Sequence, residues 1–394
     1  MIPSTDNYTV VTPKSLTIEA IAKTVPSLDI FDDAVLAFLQ SLSKEFLRQK
    51  AYGEIVALGF WLRDSHIKKL KKRFERKHEG AILMPKGVVF HIAPSNVDTI
   101  FLYSLILSLL AGNMNILRIG ERRNPQLDAI LATLLRVLAN HPVIAEHIVI
   151  IRYAHDDAIT AYLSKLCDVR IIWGGDATIE HIRTLAIPPY ATELVFADKF
   201  SFAVIDPNGC DFDTPFFEKF YRDGYTFLQN ACSSVRTICW LNADKEQKEA
   251  FWNGFETFVE QKMPPLEAKQ TVDKLTALAL QSATTRASVT CNKFIHRIAL
   301  RDLDDIDTQL HCGFGLFYEV DIGHIDTLLR YATRKNQTLA VAGIEREKII
   351  DAIKTTRTRG FDRIVALGEA NSFEAVWDGY DILSSLVRIV DVAL

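Results

Sequence analysis

Gly87-Val88-Val89-Phe90-His91-Ile92-Ala93-Pro94-Ser95-Asn96-Val97 is a short β-branched apolar run followed at once by breaker and capping residues. It reads as a strand that turns directly into a helix. The helix predicted from it covers about residues 97–110 and stops at Gly112-Asn113, a pair suited to a left-handed helix end. The apolar stretch 100–117 is interrupted by Tyr103, Ser104, Ser108, Gly112, Asn113 and Asn115, which is poor for a membrane span. A buried helix leading into a buried strand accounts for it better.

The alternation continues outward from this turn. Residues 115–118, 148–152, 170–173 and 202–205 read as strands, and residues 125–139, 157–166 and 177–184 as the helices between them. Strands separated by such helices predict a parallel sheet covered on both faces, a doubly wound α/β domain. Upstream, residues 31–47 and 52–61 show helical periodicity. The run from Ser65 to His78 holds Lys68, Lys69, Lys71, Lys72, Arg73, Arg76 and Lys77. We read it as the solvated face of a helix rather than a basic contact surface. A second pass of mixed helix and strand begins after Asp206-Pro207-Asn208-Gly209, so a domain boundary is predicted there.

Composition removes whole classes of function. The chain has 394 residues, of which 48% are hydrophobic and 24% charged. These proportions are those of an ordinary folded protein of two or three domains. Lys and Arg total 45 against 49 Asp and Glu, so nothing global favours nucleic acid or an anionic membrane as partner. The cysteines, at 167, 210, 232, 239, 291 and 312, form no CxxC pair and no zinc-ligand spacing. With an N-terminus that lacks a basic head and apolar run, this predicts reduced thiols and a cytoplasmic location. The motifs GxGxxG, GxxxxGK[ST], HExxH and GxSxG are all absent.

One chemical feature stands out. Gln229-Asn230-Ala231-Cys232-Ser233-Ser234 puts a thiol in a turn of small polar residues, just before Arg236 and the apolar run 237–241. A thiol beside a cation at such a turn can combine exposure with thiolate character. A lone cysteine is otherwise an inert small hydrophobe.

Three segments read together are specific. Residues 90–97, Ala111-Gly112-Asn113-Met114-Asn115-Ile116-Leu117-Arg118, and residues 229–234 resemble the aldehyde dehydrogenase superfamily. More narrowly they are similar to its bacterial fatty acyl-CoA reductase branch, the LuxC type that makes aldehyde for luciferase. Residues 59–63, 363–369 and 377–381 resemble that branch too, so the similarity runs from about residue 50 to 390. The resemblance implies an aldehyde-dehydrogenase-like α/β fold, a doubly wound Rossmann-type cofactor domain plus an α/β catalytic domain. On it, residues 1–205 are expected to form the helical N-terminal segment and NAD(P)-binding domain, and 206–360 the catalytic domain with Cys232. Residues 361–394 are expected to pack back on the cofactor domain or a subunit interface.

The resemblance also implies a reaction. Cys232 attacks a fatty acyl thioester, with Asn96 and the Cys232 backbone N–H as oxyanion donors, and NADPH reduces the acyl enzyme to aldehyde. Arg118 and Glu121 match the positions that meet the adenosine ribose, and Arg118, Arg122 and Arg123 favour a 2′-phosphate. Gly174, Gly175 and Ala177 match the pyrophosphate-facing turn, with Asp176 where a Ser is common. Partners implied are a fatty acyl-CoA, an acyl-protein synthetase and further copies of the chain, with no nucleic acid and no membrane span.

The departures are informative as well. Val195 stands where hydrolytic members carry a water-activating Glu, four residues before Lys199, which suits a reductase. A second family Glu has no match in Leu310-His311-Cys312-Gly313-Phe314-Gly315. The chain is shorter than typical members, which bears on oligomerisation elements. His91 and His311 flank the motifs and read as structural; Cys239 reads as core, and Cys312 lies in a Gly-rich turn. Two alternatives stay open: an acylating dehydrogenase for another acyl donor, and a non-reducing acyl carrier.

Overall fold

The structure, a computed structural model, describes residues 7–13, 27–93, 99–262, 266–284 and 287–393. It divides into two units, Met1–Ala197 with Phe373–Leu394, and Asp198–Ser372.

The first unit runs β1 (Thr9–Thr12), α1 (Asp33–Phe46), α2 (Gly53–Trp61), α3 (Asp64–Lys77), β2 (Ile82–Pro85), β3 (Val88–Ile92) and α4 (Ile100–Leu110). It continues with β4 (Met114–Ile119), α5 (Pro125–Leu138), α6 (Pro142–Ala145), β5 (Ile148–Arg152), α7 (Asp157–Ser164), β6 (Val169–Trp173), α8 (Asp176–Arg183) and β7 (Thr192–Phe196). Side-chain caps start α1, α5 and α7: Asp32 accepts from the Ala34 N–H, Asn124 from Leu127 and Asp156 from Ile159. The main sheet has the order β1-β5-β4-β3-β6-β7, parallel except for β1. The chain leaves β3 toward β4 and β5, then crosses back to β6 and β7. The C-terminal ends of β3 and β6 therefore border the crevice at which doubly wound sheets receive ligands.

Every residue of α4 is buried, as the unbroken apolar run predicts. No helix among the described residues is long and apolar enough to cross a membrane. In α3, Ile67, Leu70 and Phe74 are buried while the basic residues lie on the other faces. Lys77 pairs with Asp381 and Arg73 with Glu374, so the basic run is a solvated face that also meets the C-terminal segment. That segment adds Phe373 and Trp377 to a cluster around Tyr103, and Val387–Val390 pairs antiparallel with β2.

The second unit contains β8 (Phe200–Ile205), α9 (Thr214–Tyr225), β9 (Val235–Leu241), α10 (Lys245–Lys262), α11 (Ala268–Thr284), β10 (Ser288–Cys291) and β11 (His296–Ala299). β12 (Leu316–Ile322), α12 (Ile325–Tyr331), β13 (Asn336–Ala342), α13 (Arg346–Thr356) and β14 (Arg363–Ala366) follow. Its sheet runs β10-β11-β12-β9-β8-β13-β14, parallel apart from the β10–β11 pair. Strand alternation sorts two cores onto its faces. Ala203 and Ile205 of β8 join a Phe-rich core with Phe217, Phe220, Phe251, Phe255 and Phe317, while Phe202 and Val204 join the opposite one. The Phe-rich core is solidly packed, with Trp240 and Trp252 both donating to the buried Glu319 carboxylate.

Two expectations need correction. The strand read at 202–205 does not close the first domain: β8 lies between β9 and β13, so the division falls at 197/198 rather than 205/206. The strand in its place in the first sheet is β7, which sequence reading left unassigned. Residues 361–372 stay with the second unit, because β14 pairs with β13, and the chain changes unit at residue 373.

Candidate active site

Cys232 sits at the end of a strained turn. Phe227, Leu228 and Gln229 take left-handed φ values of 61°, 50° and 64° in succession, a conformation that side chains with a Cβ resist. Such strain persists only where neighbours over-determine it. The side chain of Gln229 is fully buried, donating to the Val235 carbonyl at 3.0 Å and accepting from the Gly315 N–H at 3.0 Å. Its own carbonyl accepts from Arg236 Nε at 3.1 Å, and the Leu228 carbonyl accepts from the Phe314 N–H at 3.1 Å. The Gly313-Phe314-Gly315 turn, itself left-handed throughout, is thus latched to the Cys232 turn. Lys274 supports it from below by donating to the carbonyls of Phe294 and Phe314.

The Cys232-Ser233 dipeptide is anchored twice more. Ser201 of β8 donates to the Cys232 carbonyl at 2.6 Å and accepts from the Thr338 N–H at 3.1 Å. Ser233 donates to the Asn371 side-chain oxygen at 2.7 Å. The thiol itself is partly exposed and faces the Asp198 carboxylate, Sγ to Oδ1 3.9 Å. Arg236 completes the electrostatics. Its guanidinium, 5.3 Å over the Phe200 ring, is lowered in pKa by burial and pulled back up by Cys232 and Asp198. The thiol therefore has both a buried cation and a carboxylate among its neighbours.

The other thiols are less suited to attack. Cys239 is buried on β9 and burial raises its pKa, and Cys312 is pushed up to about 11 by the same cause. The flanking histidines are structural, as the sequence suggests. His91 is buried between Ser104 and Asn115, each 3.0 Å away, and burial lowers its pKa to about 4. His311 lies 2.8 Å from the Leu316 carbonyl through Nε2 and accepts from Gly313 N–H through Nδ1.

In the first unit the proposed cofactor residues fall on one edge. Arg118 is the next-to-last residue of β4, Glu121 follows the strand, and Gly174, Gly175 and Ala177 follow β6, all at the C-terminal edge of the parallel sheet. Gly175 caps α8 without a side-chain bond, and no atom lies within 4 Å of where a Cβ there would stand. That leaves backbone N–H groups and space for a phosphate, although Asp176 puts a negative charge in the same first turn. The residues present fit a dinucleotide at this edge. Arg118 is already engaged: Nη2 donates to the carbonyls of Tyr153 and Ala154, and the guanidinium stacks on the Tyr153 ring. Arg122 and Arg123 are exposed. Arg152, at the end of β5, donates to the Gly120 carbonyl, and its pKa is lowered by burial and then by Arg123, with Asp128 and Glu121 opposing. Sequence reading missed it because only the sheet order brings the ends of β4 and β5 together. Asn96 lies outside the described residues.

Comparison with known proteins is consistent across sequence and fold. The acyl-CoA reductase (LuxC) family model matches residues 14–389. A long-chain acyl-protein thioester reductase of Photorhabdus laumondii is 25% identical over 311 residues, covering 78% of this chain and 63% of the relative. A protein of that description from Aliivibrio fischeri is 28% identical over 124 residues, 31% of this chain and 26% of the relative. The chain therefore spans less than two thirds of the length of these curated relatives. Among solved structures, a NAD-dependent benzaldehyde dehydrogenase from Corynebacterium glutamicum superposes with a TM-score of 0.63 at 12% identity, covering 99% of this chain and 94% of the other. The NADP-dependent glyceraldehyde-3-phosphate dehydrogenase of Bacillus halodurans gives 0.62 at 11% identity, covering 90% and 85%. The fold is that of the aldehyde dehydrogenases.

Proposed function

The chain belongs to the acyl-CoA reductase (LuxC) family, and from that membership we propose that it reduces a long-chain fatty acyl thioester to the aldehyde with NADPH, through an acyl-Cys232 intermediate. The acyl group arrives on coenzyme A or on a protein thiol. The names of the Photorhabdus and Aliivibrio relatives, long-chain acyl-protein thioester reductases, support this substrate class. The observation that carries the reading is the Cys232 turn: a partly exposed thiol, braced by a strained backbone and coupled to the Arg236 cation.

The Cys232 thiolate attacks the acyl carbonyl and the donor thiol leaves. On the family resemblance, the Asn96 amide and the Cys232 N–H are the donors for charge developing on the carbonyl oxygen. Gly174, Gly175, Ala177 and Glu121, with the basic residues 118, 122 and 123, would hold a reduced nicotinamide dinucleotide, which would supply a hydride. The resulting thiohemiacetal on Cys232 collapses to free aldehyde and thiolate. Val195, partly buried on β7, has no proton-accepting group, so it cannot serve as the water-activating base of the hydrolytic enzymes. Family membership further supports an acyl-protein synthetase as donor, assembly into a homo-oligomer and a cytoplasmic location.

The test is acyl transfer from labelled acyl-CoA, read by mass on the Cys232 peptide, with cofactor reduction followed separately. Wild type should label and Cys232→Ala should not, while both bind NADPH. Asn96→Ala should label at least tenfold more slowly. Labelling that survives in Cys232→Ala would remove the assignment. Labelling without hydride consumption would favour the carrier alternative.

A further inference from the structure

We propose that Asp223 is a positioning residue for the nucleophile, acting through the turn at residues 368–371 and the side chain of Asn371. The proposal rests on the reading of Cys232 as nucleophile and adds a control element to that site.

Asp223 lies near the end of α9 and is completely buried. Its two oxygens are both used: Oδ2 accepts from the Gly368 N–H at 2.6 Å and Oδ1 from the Ala370 N–H at 2.9 Å. On the carbonyl side of this turn stands Arg363, donating to the carbonyls of Glu369, Ala370 and Ser372 at 3.0–3.3 Å. A carboxylate therefore holds the N–H groups and a guanidinium the C=O groups of one short turn. The outcome of this clamp is the placement of Asn371. Its amide donates to the Arg222 and Asp223 carbonyls at 2.8 and 3.3 Å, and its oxygen accepts from Ser233, the residue after Cys232. The chain of contacts is Asp223, turn, Asn371, Ser233, Cys232, all within one unit. It also gives a role to residues 363–369, which the reaction chemistry leaves unused.

A structural link alone would not need an acid here. Among the described residues, no ion pair neutralises Asp223, and a buried carboxylate without one is expensive to keep ionised. Burial pushes its pKa up to about 7 against the two N–H bonds and Arg222, which lower it, and with Glu369, which raises it. Arg222 and Glu369 are the charged groups that act on it, while Lys219 of α9 lies against Gly368 and Arg363 against the carbonyls of the turn. Protonation removes the charge that strengthens both N–H bonds and leaves the protonated oxygen a weaker acceptor, so the clamp loosens. The Cys232 turn is then held in its reactive geometry above neutral pH and released below it.

The test uses the full chain with neither cofactor nor acyl donor. Iodoacetamide alkylation of the Cys232 peptide is followed by mass spectrometry from pH 5.5 to 9 in wild type, Asp223→Asn and Ser233→Ala. Wild type should show an inflection near pH 7 in addition to that of the thiol. Both variants should lose that inflection and react about tenfold more slowly at pH 8, the size of effect expected for one hydrogen bond in a positioning network. Ser233→Ala leaves the buried acid in place, so it separates positioning from stability and decides the matter alone if Asp223→Asn does not fold. A Ser233→Ala profile identical to wild type, or an Asp223→Asn protein that folds and keeps the inflection, would overturn the proposal. Because the readout needs no hydride or acyl chemistry, failure of the proposed reduction would leave this result interpretable, and the reverse holds too.

Discussion

Cys232 is defined less by its own side chain than by the groups that hold its backbone. The sequence singles out Cys232 through three segments read together and their family resemblance, since a thiol among small polar residues is a weak signal by itself. It does not single out Ser201, Asp198 and Asn371, because they lie tens to more than a hundred positions away and only the order of strands in the second sheet brings them to the turn. Ser201 offers a direct check. Ser201→Ala removes one donor to the Cys232 carbonyl and one acceptor for Thr338, leaving two buried backbone groups unmet. The expected loss is about 1–3 kcal/mol of stability, with slower acylation at unchanged cofactor affinity, measured by denaturant unfolding and acyl labelling. His91 gives a pH prediction of defined sign. Its pKa falls from 6.5 unfolded to about 4 folded, so the unfolded chain binds the extra proton between those values. Stability from this group is therefore present above pH 6.5 and lost as pH falls toward 4. The thermal midpoint should drop between pH 7 and 5, and drop less in His91→Gln; equal drops would assign the effect elsewhere.

At the level of elements, the strand–turn–helix at 87–110 and the alternation after it were readable because buried parallel strands are short apolar runs between caps and breakers. β8 was found but put in the wrong sheet, since a buried strand of Phe, Ala, Val and Ile carries no mark of which neighbours it will pair with. β7, with Glu193 and Thr192 at its exposed end, has too little apolar character to declare itself. Its Glu193 has a structural purpose: it pairs with the buried Arg170 on the neighbouring β6 strand, Nε to Oε2 2.8 Å. The latch between the 227–232 and 313–315 turns was invisible, as left-handed conformation at Phe, Leu and Gln contradicts local preference. Gly315 is the position to test it. Its φ is +83°, and an added Cβ would run into the Tyr225 hydroxyl and the Phe294 carbonyl. Gly315→Ala should cost about 1–3 kcal/mol and slow Cys232 alkylation, because the Gln229 bond to the Gly315 N–H shifts with the turn. Normal alkylation in a destabilised Gly315→Ala protein would separate the two turns.

Over the whole molecule, the first unit offers a doubly wound sheet with glycines and basic residues at its C-terminal edge, and the second carries the braced thiol. The fold class was legible, whereas the expected boundaries were displaced because β8 and β14 pair within the second sheet. Arg118 is engaged with the Tyr153 and Ala154 carbonyls, so on the proposed NADPH reading Arg122 and Arg123 are the residues to test for the 2′-phosphate. Replacing both by Ala should raise KM for NADPH at least tenfold and change KM for NADH less than threefold. Equal changes for the two cofactors would place the phosphate elsewhere. The central claim, acyl reduction through Cys232, is tested most directly by the loss of NADPH absorbance with a panel of acyl-CoA lengths, in wild type and Cys232→Ala side by side. The account predicts consumption that requires both a long-chain acyl-CoA and Cys232; equal consumption by Cys232→Ala would contradict it.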